Sequence, residues 1–253
     1  MQHRTLWAFA SILILAAAAA CGGSDAPAEA PAEPAAPAFD PATAGNVTGS
    51  IMLEGEPPAA EMIRMNSDPV CVKQATDNET NYYVVGEGGG LGNVFVYVKE
   101  GLQVDFPPAS DTVILDQQGC RYMPHVFGIQ VGQTLQVVNS DPTLHNIHAT
   151  PANNPEFNTG QPIQGMTFDR TFDNVEVMVP FKCDVHGWMN AYLGVLDHPF
   201  FAVTAPDGSF DLSGLPPGDY VIEAWHEELG TQTQNVTVAE GGTAEMSLTF
   251  TVG

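Results

Sequence analysis

The stretch Asn93-Val94-Phe95-Val96-Tyr97-Val98-Lys99 shows the pattern on which the fold of this chain depends. It is short, and β-branched and aromatic residues fill it. Runs of the same kind recur, with turns that contain Gly, Pro and Asp between them, at residues 133–139, 176–179, 220–224 and 246–250. Helical periodicity is nearly absent after residue 45. Such spacing is typical of a β-sandwich or barrel, so we predict an all-β protein.

A second stretch, Cys183-Asp184-Val185-His186-Gly187-Trp188-Met189, places a thiol, an imidazole and a thioether within one short loop. Two further imidazoles lie upstream, in His145-Asn146-Ile147-His148. Two His, one Cys and one Met are the ligands of a mononuclear blue-copper electron-transfer site. Zinc also accepts Cys and His, and a zinc site or a buried thiol is the alternative.

The segment around these residues, roughly 111–197, resembles the cupredoxin family, in its amicyanin-like and plastocyanin-like branches. The resemblance rests on residues 122–134, on 139–146 and on the spacing Cys-x-x-His-x-x-Met, which is the short amicyanin-like form. It implies a Greek-key sandwich and one type 1 copper held by His145, Cys183, His186 and Met189. It also implies that Asn146 ties the two ligand loops together by hydrogen bonds.

The same resemblance assigns roles to the neighbouring side chains. His145 is preferred to His148 as the upstream ligand, because it aligns with the family's ligand position, and His148, three residues on, would face the opposite way in an extended segment. His186 is expected near the surface, where it would be the exit point for the electron. Trp188 is expected either to pack in the interior or to join an apolar docking patch.

The C-terminal part resembles a carboxypeptidase regulatory-like domain, a small transthyretin-like sandwich. Residues 201–210 and 215–220 carry the resemblance, with an Asp-Gly turn and a Leu-Pro-Pro-Gly-Asp-Tyr turn. The first strands of such a domain lie upstream, at 49–57 and 92–98. We therefore predict one domain from residues 46–108 plus 199–253, with a cupredoxin domain, 109–198, inserted. Two consecutive domains meeting near residue 198 are the alternative.

Cys71 and Cys120 both lie in polar contexts far from the ligand loop. An exported protein matures in an oxidising compartment, so we expect a disulfide between them. A second metal site that uses both thiols, together with His125, is the alternative.

The N-terminus has the features of an export signal. His3 and Arg4 precede an apolar run, residues 6–20, which is shorter than the roughly 20 residues that span a bilayer. Small residues then lead directly into Cys21, and this arrangement resembles a bacterial lipoprotein signal. The resemblance implies that residues 1–21 are the signal and that Cys21 carries the lipid. Ordinary signal cleavage nearby is the alternative.

Residues 22–45 are rich in Ala, Pro and Glu, and they lack the apolar side chains needed to offset the entropy cost of ordering. We expect them to be a disordered tether between the membrane and the folded part. The chain has 30 acidic and 7 basic residues and a net charge of -23. This balance excludes nucleic acid as a partner, because binding it relies on Lys and Arg.

Together these features predict an electron carrier, and not an enzyme, that is lipid-anchored in the bacterial cell envelope on the periplasmic or extracytoplasmic face. Its expected partner is a redox protein such as a c-type cytochrome or a membrane oxidoreductase. A copper storage or delivery module is one alternative. A structural or carbohydrate-contacting surface protein is another.

Overall fold

The computed structural model describes residues 39–253, and they are built almost entirely of strands. These residues belong to one compact unit. A 3-10 helix, Pro41–Thr43, and one short helix, α1, Pro69–Gln74, accompany sixteen strands in the described part. The all-β prediction is confirmed. In chain order the strands are β1 (Gly45–Glu54), β2 (Phe95–Glu100), β3 (Val113–Gln118), β4 (Arg121–Met123), β5 (Val126–Gln130), β6 (Leu135–Asn139), β7 (His145–Ala149), β8 (Phe157–Gln161), β9 (Thr167–Arg170), β10 (Glu176–Lys182), β11 (Asn190–Leu196), β12 (Phe201–Val203), β13 (Ser209–Leu215), β14 (Gly218–His226), β15 (Gly230–Val238) and β16 (Thr243–Thr251).

Two of the four sheets combine strands from distant parts of the chain. One has the order β13-β1-β16 and the other β12-β2-β14-β15. β1 lies between an antiparallel neighbour, β13, and a parallel one, β16. β2 is antiparallel to both β12 and β14. The upstream strands are therefore interior members of these sheets. The two sheets bury a common core, and we call them the split sandwich.

The other two sheets, with orders β5-β11-β10-β7-β8 and β4-β3-β6-β9, consist of strands between residues 113 and 196. We call them the central sandwich. Parallel pairs, β3 with β6 and β5 with β11, connect its strands across the sequence. Its alternating apolar side chains bury one core, for example Leu115, Val137, Phe181 and Leu193. β7 and the turn between β10 and β11 emerge at the same end, where the ligand residues lie.

A pair of facing glycines joins the two sandwiches. Gly128 of β5 is in register with Gly194 of β11. A Cβ at Gly194 would lie 2.4 Å from the ring of Phe95, and one at Gly128 would lie 2.5 Å from the ring of Phe201. The missing side chains leave a flat patch on the central sandwich, and these two aromatic rings of the split sandwich pack there.

Residues 61–80, which we call the cap, leave the split sandwich between β1 and β2 and pack on the central one. A bridge between Met62 and Glu79 closes the two ends of the cap. Asp68 caps the N-terminus of α1 by accepting a hydrogen bond from the Val70 N–H. Met65 and Cys71 are buried in the central core. The cap thus belongs by sequence to one sandwich and by packing to the other.

Order begins before the expected end of the tether. Asp40 caps the 3-10 helix by accepting from the Ala42 N–H, and β1 starts at Gly45, whose Cα faces Val238 too closely for a side chain. The predicted signal, the predicted lipidation site Cys21 and the predicted tether up to residue 38 lie outside the described residues. Within residues 39–253, no helix has the length and apolar character needed to cross a membrane.

Candidate metal centre

One strand, β7, and the turn between β10 and β11 bring the predicted ligands together. His145 is the first residue of β7, Cys183 follows β10 directly and Met189 precedes β11 directly. Backbone hydrogen bonds from Cys183 N–H to Met189 C=O, 3.1 Å, and from Met189 N–H to His186 C=O, 2.9 Å, close the turn. These bonds form a compact loop that directs its ligand side chains towards His145.

The donor atoms of His145, Cys183 and His186 all lie within 4.8 Å of one another. The two imidazole Nδ1 atoms are 2.9 Å apart, and the Cys183 Sγ lies 3.9 Å from the His186 Nδ1. All three residues are buried. Met189 is buried too, and its backbone bonds to Cys183 and His186 keep it on the same turn. The structure thus brings three of the predicted ligands together at one end of the central sandwich and places the fourth residue next to them in the chain.

Each ligand imidazole has a carboxylate on its other nitrogen. The Nε2 of His145 lies 2.9 Å from Asp141 Oδ2, and the Nε2 of His186 lies 3.2 Å from Asp68 Oδ2. Burial alone would raise the pKa of Asp141, but hydrogen bonds from His145 and from the Cys120 and Gly119 N–H groups lower it. Burial alone would also raise the pKa of Asp68, but hydrogen bonds from Thr143, Val70 and His186 lower it.

Because ionised carboxylates only accept hydrogen bonds, each Nε2 carries a proton, and the other nitrogen of each ring, Nδ1, offers a lone pair once it has lost its own proton. Two such lone pairs facing each other at 2.9 Å repel unless a proton or a metal cation lies between them. The nearby thiol adds a third electron-pair donor. This donor set fits a metal ion that accepts two imidazoles and a thiolate.

The Cys183 side chain is prepared to bind a metal as a thiolate. Burial alone would raise the pKa of this thiol, but hydrogen bonds with His145 and His186 lower it to about 6. This lowering favours the thiolate, which is the form that binds metals. The Asn146 Oδ1 accepts from the Asp184 N–H at 2.8 Å and lies 3.3 Å from the Cys183 Sγ. Asn146 thus links the two ligand-bearing segments.

The expectation that His186 lies near the surface is wrong. Its relative exposure is 2%, because the cap lies over it. Asp68 contacts its Nε2, and the Cys71 Sγ lies 3.6 Å from the same atom. The Trp188 ring packs 5.1 Å from the imidazole, centroid to centroid, and its Nε1–H donates to the Cys120 carbonyl. Trp188 therefore has a packing role.

Cys71 and Cys120 form a disulfide with a Cα–Cα distance of 5.5 Å. Both half-cystines also fall in possible metal-binding groups, Asp68-Cys71-His186 and Cys120-Asp141-His145. Since a disulfide sulfur is not a thiolate, neither group offers a Cys ligand in this state. Within the described residues Cys183 is the one free cysteine.

The other two histidines considered from the sequence, His148 and His125, contact carboxylates rather than Cys183. His148 lies between the carboxylates of Asp184 and Glu156, at 2.9 and 3.0 Å. His125 lies at the junction of the two sandwiches, where its Nε2 contacts Glu227 at 2.5 Å. Neither belongs to the group of donors around Cys183.

Sequence reasoning missed the two carboxylates. Asp141 lies four residues before His145, and Asp68 lies three residues before Cys71. The spacing of Asp141 to its histidine was a usable signal. For Asp68 no such signal exists, because 118 residues separate it from His186.

Comparison with known proteins gives one family match. Residues 195–252 match the family model of the carboxypeptidase regulatory-like domain. The match covers β12–β16 and leaves out β1 and β2, which complete the same two sheets. No curated protein matches the chain.

Several solved structures are similar to part of the chain. A copper-containing nitrite reductase (NirK) from Thermus scotoductus SA-01 shares 22% identity over 41% of this chain, with a TM-score of 0.32, and the match spans only 26% of that protein. A variant of amicyanin in its Cu(I) form shares 17% identity, with 40% of this chain and 97% of its own covered, at a TM-score of 0.30. A purple cupredoxin from Nitrosopumilus maritimus shares 23% identity, with coverages of 34% and 99%, at 0.29.

Removal of the disulfide is expected to loosen the cap without unfolding the sandwiches. The bridge closes a loop with a sequence separation of 49, so Cys71→Ala/Cys120→Ala should cost about 2–4 kcal/mol of the free energy of unfolding. Amide exchange should rise in residues 61–80 and stay low in β10 and β11. Chemical denaturation and hydrogen-exchange mass spectrometry measure the two effects. An unchanged exchange rate in the cap would show that packing alone holds it.

Proposed function

We propose that this protein is a membrane-anchored type 1 copper protein that carries single electrons between redox partners outside the cytoplasm. The observation that carries the proposal is the convergence of two imidazole Nδ1 atoms and a thiol on one buried point. His145, Cys183, His186 and Met189 would hold the copper, since two imidazoles, a thiolate and a thioether are the ligand set of such sites. Copper in such a site supplies a one-electron couple.

The protein's own contribution is a rigid and dry site. Its ligands come from β7 and from a hydrogen-bonded turn, and the packed core of the central sandwich supports both. Asn146 fixes the distance between these two segments. A site whose ligands cannot move far costs little reorganisation when its charge changes by one, which suits an electron carrier.

Burial of the site favours a carrier over a storage or delivery module. Delivery requires a second protein to reach the metal and replace its ligands one by one. Here the cap covers His186, and the disulfide holds the cap to the segment between β3 and β4. An electron can pass such a covering by tunnelling, whereas a metal ion cannot leave without opening it.

The alternative of a structural or carbohydrate-contacting surface protein gains no support from this site. Such a protein needs no thiol with a lowered pKa buried between two imidazoles. The split sandwich, which includes the region matched to the regulatory-like family, can serve as the scaffold that presents the cap.

Visible absorption tests the metal and its ligands. The Cu(II)-loaded protein should show an intense absorption band at about 600 nm, because thiolate-to-copper charge transfer produces such a band. Cys183→Ser and His145→Gln should abolish the band. His148→Gln is the matched control and should keep it, since His148 binds Asp184 and Glu156 instead. A colourless wild-type protein under the same loading would refute the type 1 assignment.

Electron-transfer kinetics test the carrier role. A reduced, basic c-type cytochrome should reduce the copper-loaded protein reversibly and without loss of copper. The net charge of -23 should steer the encounter, so the second-order rate constant should fall about tenfold or more between 10 mM and 1 M salt. Stopped-flow absorption measures the rate. Transfer of copper itself to an acceptor protein, with no electron transfer, would favour the delivery alternative.

The lipid anchor at Cys21 has its own test. Expressed in a Gram-negative host, the wild-type protein should enter the detergent phase of a Triton X-114 extraction, because a lipidated N-terminus is apolar. Cys21→Ser should remain in the aqueous phase. Cys183→Ser, a substitution of a different cysteine, should follow the wild type. Wild-type protein found in the aqueous phase would contradict the anchor.

A further inference from the structure

We propose that Asp141 and Asp68 are positioning residues for the metal, which act on it through the Nε2 atoms of His145 and His186. The Cys71–Cys120 disulfide, we further propose, holds the two carboxylates as one unit. This inference rests on the proposed copper function and adds the residues that set the preference of the site for Cu(II) over Cu(I).

Asp141 is fixed by hydrogen bonds on every side. Its Oδ1 accepts from the Gly119 N–H at 2.9 Å, and its Oδ2 accepts from the Cys120 N–H at 2.7 Å and from His145 at 2.9 Å. The Asn139 side chain accepts from its backbone N–H. With a relative exposure of 2%, the carboxylate is a buried negative charge held against one ligand ring.

Asp68 plays the matching part on the cap. Its Oδ1 accepts from the Val70 N–H at 2.7 Å, and its Oδ2 accepts from the Thr143 hydroxyl at 2.6 Å and from His186 at 3.2 Å. Thr143 lies in the loop between β6 and β7, two residues before His145. Asp68 therefore connects the cap both to the ligand turn and to the loop that leads to the other ligand.

The disulfide joins the two arrangements covalently. Cys71 lies in α1, three residues after Asp68, and Cys120 donates its N–H to Asp141. The disulfide thus links the backbone segment that carries Asp68 to the segment whose N–H groups bind Asp141. The bridge therefore restrains the backbone segments that position both carboxylates.

The chemical consequence follows from the position of the protons. Each carboxylate keeps a proton on Nε2 and leaves Nδ1 free for the metal, and it makes the imidazole a stronger donor. Two negative charges behind the two rings stabilise Cu(II) more than Cu(I), because Cu(II) carries the larger positive charge. The sandwich alone would present the His186 Nε2 to solvent. The cap replaces that solvent with a carboxylate.

The experiment compares Asp141→Asn and Asp68→Asn with the copper-loaded wild type. Each variant keeps the side-chain shape and removes the charge, and each should weaken Cu(II) binding by about 10–100-fold. Cu(I) binding should change less. A tenfold loss of Cu(II) affinity relative to Cu(I) affinity raises the potential of a one-electron couple by about 59 mV. Competition titrations with Cu(II) and Cu(I) chelators and protein-film voltammetry measure both quantities.

Glu156→Gln is the matched control, because Glu156 also accepts from a histidine Nε2, that of His148, at 3.0 Å. It should leave both affinities and the potential unchanged. Asp141 and Asp68 variants that behave like this control, in a protein that binds copper, would overturn the inference alone. A wild-type protein that binds no copper would instead overturn the proposed function.

Proton NMR keeps the inference testable if a variant folds poorly. In the metal-free wild type, the Nε2–H protons of His145 and His186 should resonate at low field and exchange slowly, since carboxylates accept both and the two imidazoles are buried. Asp68 is partly exposed and accepts at the end of a surface helix, so Asp68→Asn is expected to fold. Fast exchange of both protons in the wild type would overturn the inference.

Discussion

The close approach of two imidazole nitrogens is the constraint on which the site depends. The Nδ1 atoms of His145 and His186 lie 2.9 Å apart, a distance that two bare lone pairs tolerate only around a positive centre. Every contact described around them works to keep them there. β7 and the ligand turn supply the backbone, Asn146 sets their spacing, and Asp141 and Asp68 determine which nitrogen of each ring is free.

This constraint also explains why the two sandwiches are combined. The cap is part of the chain segment that connects β1 to β2, so it is anchored at both ends in the split sandwich. Its buried residues pack in the central core. The facing glycines at 128 and 194 allow Phe95 and Phe201 to pack closely, which keeps the two sandwiches together. The split sandwich, through the cap, thus covers one side of the candidate metal site.

The sequence was sufficient for the features that short-range patterns encode. Alternating β-branched and aromatic runs predicted the strands, for example β2 at residues 95–100 and β14 at 218–226. Donor types and spacing singled out the residues that the turn between β10 and β11 brings to His145. Residues 40–45 are ordered, although composition placed them in the tether. A helix cap made by one carboxylate, Asp40, on a three-residue helix leaves little trace in composition.

Contacts between distant segments were beyond these patterns. The sequence resemblance placed His186 at the surface, as expected for a sandwich that stands alone, and nothing near residue 186 shows that residues 61–80 cover it. The partnership of Asp68 with His186 arises only when α1 docks on the central core. The sequence predicted that Cys71 forms a disulfide. The effect of this disulfide on the site could not be predicted, because it depends on the direction in which α1 runs from Cys71.

Covering His186 changes what a redox partner would meet. In an uncapped site the imidazole edge itself would form the contact, and the shape of the ligand turn would determine the fit. Here the atoms outside His186 are Asp68 and the Cys71 sulfur, and beyond them lies α1 with Val72 exposed. Because electron tunnelling slows with distance, a partner on this side gains from fitting the cap closely. Recognition and the part of redox tuning that is due to Asp68 would then reside in the same twenty residues, supplied by the sandwich that holds none of the predicted ligands.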